Sequence, residues 1–406
     1  MFKVLDRIRI NFVRKVLAAL LFLVATCLGN SFCSDVKQPK MLVLTSKAGN
    51  AHTATCGILK EIFPDYEIKF INPIHDFLHK SLAFDGEDWF INSFQKGWTR
   101  SANFIMRYPG QMYFKMCSSA LKKQLLKSLE QDKPDILVSV IPVVNYPASW
   151  AAQSYNIPFL LITLDADLTM WIMDMQKCKN HDFIMTVKSK TPLIEKQLRH
   201  KHIMPSCVRE VGAPLRKDFF APKDLKKIRK EWNIPDDKKV VMLIRGGTGS
   251  NKQIDYLKSL VKIKKSIHVL VCIGKNTKII PKINRIKATD YVSYSIVPFT
   301  PKISDLMAIA DVLISQPSPT TCNEAIHMKL PIVVDMTYPS MFWEAAAIDW
   351  IKQSGFVSVV KRMSKLNAAV LENLDKKQIF QAQATKPQPL FNTEIRNIVE
   401  GLLKRK

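Results

Sequence analysis

Three short stretches carry residue types and spacings able to do chemistry. The first runs Thr45-Ser46-Lys47-Ala48-Gly49-Asn50-Ala51-His52. Small residues let a strand turn sharply into a helix and bring backbone close to a ligand, and His52 then stands at the helix start. A neutral imidazole there could take a proton from a hydroxyl, because its unperturbed pKa lies near working pH. The second stretch is Arg245-Gly246-Gly247-Thr248-Gly249-Ser250, a glycine turn suited to phosphate, lacking the GK[ST] ending of a Walker loop and a full G-x-G-x-x-G. The third is Ser315-Gln316-Pro317-Ser318-Pro319-Thr320-Thr321-Cys322-Asn323-Glu324. Here an apolar strand signal enters a Ser/Pro/Thr turn that opens a helix, with a carboxylate expected on its first turn. The first N–H groups of a helix lack partners within it and carry the positive end of its dipole, so they favour phosphate. Hydroxyls of Thr320 and Thr321 add donors, and Glu324 is placed to accept from a ribose. The same residues also fit an ordinary capping box, with Thr as the cap and Glu as its partner.

The elements that position these stretches alternate strand and helix from residue 40 onward, which predicts α/β sheets with parallel strands. Met41–Thr45, Glu67–Asn72, Ile136–Val140, Pro158–Thr163, Asp182–Val187 and Val208–Val211 read as a first sheet. After a charged helix from Asp224 to Trp232, a second series comprises Val240–Ile244, Ile267–Ile273, Tyr291–Val297, Val312–Ile314 and Ile332–Asp335. Two such domains joined near Gly212–Pro222 create a cleft at the carboxyl ends of their strands. The expected organisation is a signal peptide or membrane anchor over 1–40, a first Rossmann-like domain over 41–215 and a second over 216–385. A C-terminal helix over 386–406 is expected to pack back on the first domain.

Residues 72–116 break the alternation. Phe77, Phe84, Trp89, Phe90, Phe94, Trp98, Phe104, Tyr108, Tyr113 and Phe114 are interleaved there with Lys80, Lys96, Arg100, Arg107 and Lys115. Rings and cations together suit a bilayer interface, and amphipathic helices packed on the first sheet give the same pattern. The two readings are compatible.

Composition narrows the partners. Hydrophobic residues make up 47% of the 406, which excludes a disordered class. Sixty basic against 35 acidic residues leave +25, a charge that suits an anionic membrane surface or a phosphorylated ligand. Nucleic acid is not expected, since no RNP-like motif, zinc-finger spacing or basic zipper is present. Eight cysteines stand singly, without a C-x-x-C pair, and read as buried thiols of a reducing compartment. Against that, Lys3, Arg7, Arg9, Arg14 and Lys15 precede the apolar run Val16–Leu28, the layout of a signal peptide or short anchor. An uncleaved anchor with the body on the cytoplasmic face of the inner membrane is expected. Cleavage and secretion remain the alternative.

In their order and spacing, these motifs resemble the glycosyltransferases that include monogalactosyldiacylglycerol synthase and processive diacylglycerol glucosyltransferase. A more distant likeness is to the N-acetylglucosaminyltransferase that builds the peptidoglycan lipid precursor. The likeness covers residues 40–360. Leu44 through His52 is similar to a T-S-x-x-G-x-G-H turn, with Ala51 at the second Gly. Val211-Gly212-Ala213-Pro214-Leu215-Arg216-Lys217-Asp218-Phe219 is similar to a G-x-P-[VI]-x-x-x-F crossover, and Gly246–Gly249 and Ser315–Glu324 match the glycine turn and the nucleotide-binding turn and helix.

The resemblance implies a GT-B fold holding a UDP-sugar in the cleft, with Glu324 on the ribose and the diphosphate between the Gly246–Gly249 turn and the Ser318, Thr320 and Thr321 region. It further implies Gly49 and Asn50 beside the substrate and His52 as base in an inverting transfer of a hexose or N-acetylhexosamine to a lipid, diacylglycerol, with no metal or other cofactor. Two departures stand out. Where the family carries T-D-F-x-x-H-x-x-W, this chain reads Thr163-Leu164-Asp165-Ala166-Asp167-Leu168-Thr169-Met170-Trp171, so Asp165 or Asp167 would have to supply the carboxylate. Where the family reads sugar hydroxyls with P-G-Q-E-x-x-N, this chain has Pro339-Ser340-Met341-Phe342-Trp343-Glu344-Ala345, and weaker hexose recognition is expected. An inactive GT-B nucleotide- or lipid-binding protein, or a nucleotide-sugar epimerase or hydrolase, are the competing expectations.

Overall fold

Apolar runs of four to eight residues, rich in Val, Ile and Leu, are what a strand needs when both its faces are covered. In the computed structural model, which describes residues 38–47, 49–79, 86–178, 183–383 and 390–404, such runs supply most strands of two parallel sheets of six strands each. The predicted N-terminal segment, Ala48, Lys80, Phe84, Cys27 and Cys33 lie outside the described residues. Among the described residues no helix is long and apolar enough to cross a membrane.

The first sheet has the order β2-β1-β3-β4-β5-β6, with β1 Lys40–Leu44, β2 Glu67–Ile71, β3 Ile136–Ser139, β4 Phe159–Ile162, β5 Ile184–Val187 and β6 Val208–Glu210. The second has the order β12-β11-β10-β7-β8-β9, with β7 Lys239–Ile244, β8 Ile267–Gly274, β9 Val292–Pro298, β10 Val312–Ser315, β11 Ile332–Asp335 and β12 Val357–Val360. Strand β12, which the sequence reading did not include, adds four residues beside β11 at the sheet edge. Its shortness and partial burial give it little hydrophobic signal. The central strands β1, β3, β7 and β8 are buried almost throughout, so their carboxyl ends are rigid platforms for the loops that follow.

Six helices bear on the site or on the first lobe: α1 Asn50–Ile62, α2 Gly86–Lys96, α3 Thr99–Arg107, α4 Pro109–Met116, α5 Pro319–His327 and α6 Phe391–Leu403. Helix α6 buries Ile395 and Val399 in the core of the first lobe. Arg396 there donates to the Ile62 carbonyl at 2.7 Å and pairs with Asp65 at 2.8 Å. The 72–116 interval divides its aromatics. Phe77, Met106, Tyr113 and Phe114 pack on the first core, whereas Trp98, Phe104, Tyr108, Met112 and Met116 are exposed. Of the six described cysteines, Cys178, Cys207, Cys272 and Cys322 are buried, and Cys56 and Cys117 are half-buried.

Candidate active site

The carboxyl ends of β1, β4, β7 and β10 converge on one cavity of about 810 Å³ whose walls come from both lobes. Gly49, His52, Asp165 and Asp167 line it from the first lobe; Gly246, Gly247, Thr248, Ser318, Thr320, Thr321 and Glu324 line it from the second. Asn50 is the first residue of α1, and the wall there is made by Gly49, Ala51 and His52.

His52 sits on the first turn of α1. Its Nδ1 lies 2.7 Å from the Val140 carbonyl oxygen, which can only accept, so Nδ1 carries the proton and Nε2 keeps its lone pair. Burial lowers its pKa below 6.5, against the opposing pull of the Val140 contact and of Glu87. The ring is therefore neutral at pH 7. Gly49 lies under it at φ +131, a backbone conformation that side-chain-bearing residues rarely adopt, and this is what calls for glycine. An added Cβ would meet the ring only at ordinary contact, 3.4 Å from Cδ2 and 3.7 Å from Nε2. Behind the ring stands Trp171, 6.2 Å between centroids, whose indole N–H donates to Asp165 at 2.8 Å. Burial lifts Asp165 to about 6, the Trp171 bond and Lys188 opposing. Asp167 accepts from the Thr169 amide at 2.7 Å and from Gln197 Nε2 at 2.9 Å, which gives it the work of bracing its own loop.

On the opposite wall the third motif folds differently from expectation in one respect. Helix α5 is capped at Ser318 without a side-chain bond, and Glu324 falls on its second turn. It stands beyond capping reach, because a capping-box partner stands three residues after the cap. Burial raises Glu324 to about 7, with Arg216 pulling it down, Asp218 pushing it up and Lys188 pulling it down. Lys188, at the end of β5, donates to the Pro319 carbonyl at 3.0 Å and so ties the first lobe to the start of α5.

The glycine turn rests on a buried network. Arg245 pairs with Asp335, whose carboxylate also takes the Tyr256 hydroxyl. Gly246 (φ +66) and Gly249 (φ +70) both occupy the left-handed region, and the Gly249 amide closes the turn on the Gly246 carbonyl at 3.3 Å. Gly249 was expected among the ligand-binding residues, but it does not line the cavity. A Cβ there would fall 1.9 Å from the Ile273 carbonyl oxygen, so close backbone packing is the reason for glycine at this position. The variant Gly249→Ala is expected to lose about 1–3 kcal/mol from overpacking, plus the strain of its φ, read as a lower urea midpoint at unchanged slope.

Sequence reasoning missed several cleft residues. Within Pro339–Ala345, which departs from the family's sugar-reading positions, Glu344 lines the cavity and accepts from Gln316 Nε2 at 2.7 Å and from the Met341 amide at 3.2 Å. Burial raises Glu344 to about 7. Gln316 Oε1 is buried without a partner among the described residues, an acceptor suited to a ligand hydroxyl. Glu87 and Arg216 also reach the cavity. A carboxylate just past a strand end, as in Pro339–Ala345, was the available signal for Glu344; Glu87 gave none.

No protein-family model matches the chain. It is similar to curated processive diacylglycerol beta-glucosyltransferases. With that of Bacillus licheniformis it shares 25% identity over 260 residues, 64% of each chain, which is less than two thirds of that relative's length. With that of Bacillus subtilis it shares 24% over 345 residues, 82% of this chain and 86% of the relative. Among solved structures, Acinetobacter baumannii MurG superposes with a TM-score of 0.56 at 12% identity, covering 89% of this chain and 99% of that one. The glycotransferase of kitacinnamycin reaches 0.59 at 13%, covering 90% and 99%.

The fold is GT-B.

A UDP-GlcNAc 2-epimerase from Neisseria meningitidis, solved with UDP-GlcNAc bound, also superposes, at 0.57 and 16% identity over 90% of this chain and 100% of that one. GT-B architecture alone thus accompanies more than one chemistry. The choice among them rests on the residues of the cleft.

Proposed function

We propose that this chain transfers a hexosyl or N-acetylhexosaminyl group from a UDP-sugar to a hydroxyl of a lipid acceptor of the diacylglycerol type, with inversion at the anomeric carbon. The observation that carries the reading is the placement of His52, with Nε2 available as acceptor, in the same cavity as the N-terminus of α5 and the glycine turn. Nε2 takes the acceptor's hydroxyl proton as its oxygen bonds to the anomeric carbon, and the bond from that carbon to the diphosphate oxygen breaks. UDP leaves with the electron pair. Its charge is met by the amides at the start of α5, the Gly246–Thr248 turn and the Arg216 guanidinium, with no metal required. Glu324 accepts from the ribose, and the Gln316–Glu344 pair meets the sugar hydroxyls.

The lipid half of the reading rests on the 86–116 helices and on the named activity of the curated relatives. Trp98, Phe104, Tyr108, Met112 and Met116 are exposed on α3, α4 and their flanks, beside exposed Lys96, Arg100, Arg107 and Lys115. Rings at headgroup depth with cations against phosphates suit peripheral binding to an anionic bilayer. The test incubates the full chain with a panel of UDP-sugars, with and without vesicles of anionic phospholipid containing diacylglycerol, and follows UDP release. Vesicle-dependent release, with donor KM raised at least about tenfold in Glu324→Ala for the loss of charge-assisted hydrogen bonds, is the expected result. UDP binding without turnover for any donor points instead to a binding protein, and donor turnover without lipid to an epimerase or hydrolase.

A further inference from the structure

Helix α2 belongs to neither lobe's Rossmann pattern, yet its first turn sends Glu87 into the base of the first lobe, where it is 6% exposed. The Glu87 carboxylate accepts from the Ser46 hydroxyl, from the Lys47 amide at 3.2 Å and from Asn72 Nδ2 at 2.9 and 3.1 Å. Ser46 stands two residues past β1 and Asn72 directly after β2, so one side chain ties two strand ends together. Ser46 and Lys47 are also the residues that lead to Gly49, on which the His52 ring sits.

The same helices grip the second lobe. Gln95 Nε2 donates to the Thr248 carbonyl at 3.2 Å, and the Gln95 carbonyl accepts from the Asn251 amide at 3.3 Å. Asn103 on α3 donates to the Ser340 carbonyl at 2.8 Å and accepts from the Phe342 amide at 3.0 Å. Phe90 stacks on Trp343 at 6.2 Å between centroids. These anchors lie beside cleft residues: Thr248 and Asn251 in or just after the glycine turn, and Ser340, Phe342 and Trp343 next to Glu344, with Phe342 and Trp343 on the short helix Phe342–Ala345 and Ser340 just before it.

We propose that α2 and α3 form a strap that assembles the site across the two lobes, and that Glu87 is its positioning residue for the loop beneath His52. The strap fixes both the seat of the base and its distance from the donor turns. A segment bonded to two loops on opposite walls limits how far those walls can part. Glu87 acts through Ser46 and Lys47, the Lys47 carbonyl accepting from the Gly49 amide at 2.9 Å, and, by its negative charge, on the ring. Around the ring also lie Gly49, the Val140 carbonyl and the Trp171 indole, with Asp165 behind the indole. The inference rests on His52 as the base.

The test uses the full chain with Glu87→Ala, Glu87→Gln and Asn103→Ala, each checked by thermal unfolding. Glu87→Ala is expected to lower kcat about 10²-fold through misplacement of the base, with donor KM changed less than about threefold. Glu87→Gln keeps an oxygen for Ser46 and Lys47 and should recover most of that kcat. In both, the His52 imidazole titration followed by NMR should move to lower pH, because a negative charge is gone. Asn103→Ala should raise donor KM with the His52 titration unmoved. An unshifted His52 titration in folded Glu87→Gln, or unchanged kcat in folded Glu87→Ala, overturns the proposal. Absence of any sugar transfer by the unaltered chain would sink the functional reading above, and the NMR titration would still decide the placement of Glu87.

Discussion

His52→Ala should lower kcat by about 10²–10⁴-fold, the usual contribution of a positioned base, while UDP affinity stays within about twofold. The expectation follows from the Nδ1 contact to Val140, which holds the tautomer with Nε2 ready to accept, and from the location of the ring on the wall facing the donor turns. The pH profile supplies a second reading of the same group. A base must be neutral, and burial holds this imidazole below its ordinary 6.5, so activity persists below that pH and is lost only as pH falls through the lowered value. The acid limb of kcat is thus expected below pH 6.5, and His52→Ala should abolish that limb. Glu324 and Glu344, both pushed up to about 7 by burial, are assigned to donor binding in the proposed transfer, so their titration is expected in KM. An acid limb of kcat at or above 6.5, or one that survives in His52→Ala, would remove His52 from the role of base.

The parts of this molecule that were legible in the sequence are those encoded within a few residues. Runs such as Ile267–Gly274 and Lys239–Ile244 announce buried parallel strands by apolar continuity, and the small residues after β1, β7 and β10 mark the turns that face the cleft. His52, Gly246–Thr248 and Thr320–Glu324 could be named because each lies within ten residues of a strand end. Contacts that arise only in three dimensions left no such mark. Glu87 meets Ser46 across 41 residues, Gln316 meets Glu344 across 28, and Arg245 meets Asp335 across 90. Gly249 misled for a related cause: a glycine next to a ligand and a glycine pressed against a carbonyl look alike until the Ile273 backbone is in view. Asp167 does line the cavity, but its partners Thr169 and Gln197 are invisible in the sequence without the helix that brings Gln197 across.

Arg245→Met is expected to cost about 3–5 kcal/mol of stability, the penalty for breaking a buried ion pair from one side. Arg245 and Asp335 are both almost wholly buried, at the ends of strands β7 and β11, which flank β10. Removing the guanidinium leaves the Asp335 carboxylate with the Tyr256 and Thr337 hydroxyls and the Thr337 amide but no positive partner. Burial raises the Tyr256 pKa, so its hydroxyl remains a donor and cannot replace the lost cation. The double variant Arg245→Met/Asp335→Leu removes both charges, and well-packed apolar pairs often match buried ion pairs in stability. It should regain most of the lost urea midpoint. Donor affinity should not return with it, because Arg245 is the residue from which the Gly246–Thr248 turn departs, and the network fixes that departure in space. Urea unfolding and UDP titration of the two variants separate the effects: equal losses of midpoint would refute the ion-pair argument, and recovered affinity in the double variant would refute the claim that this network orients the phosphate turn.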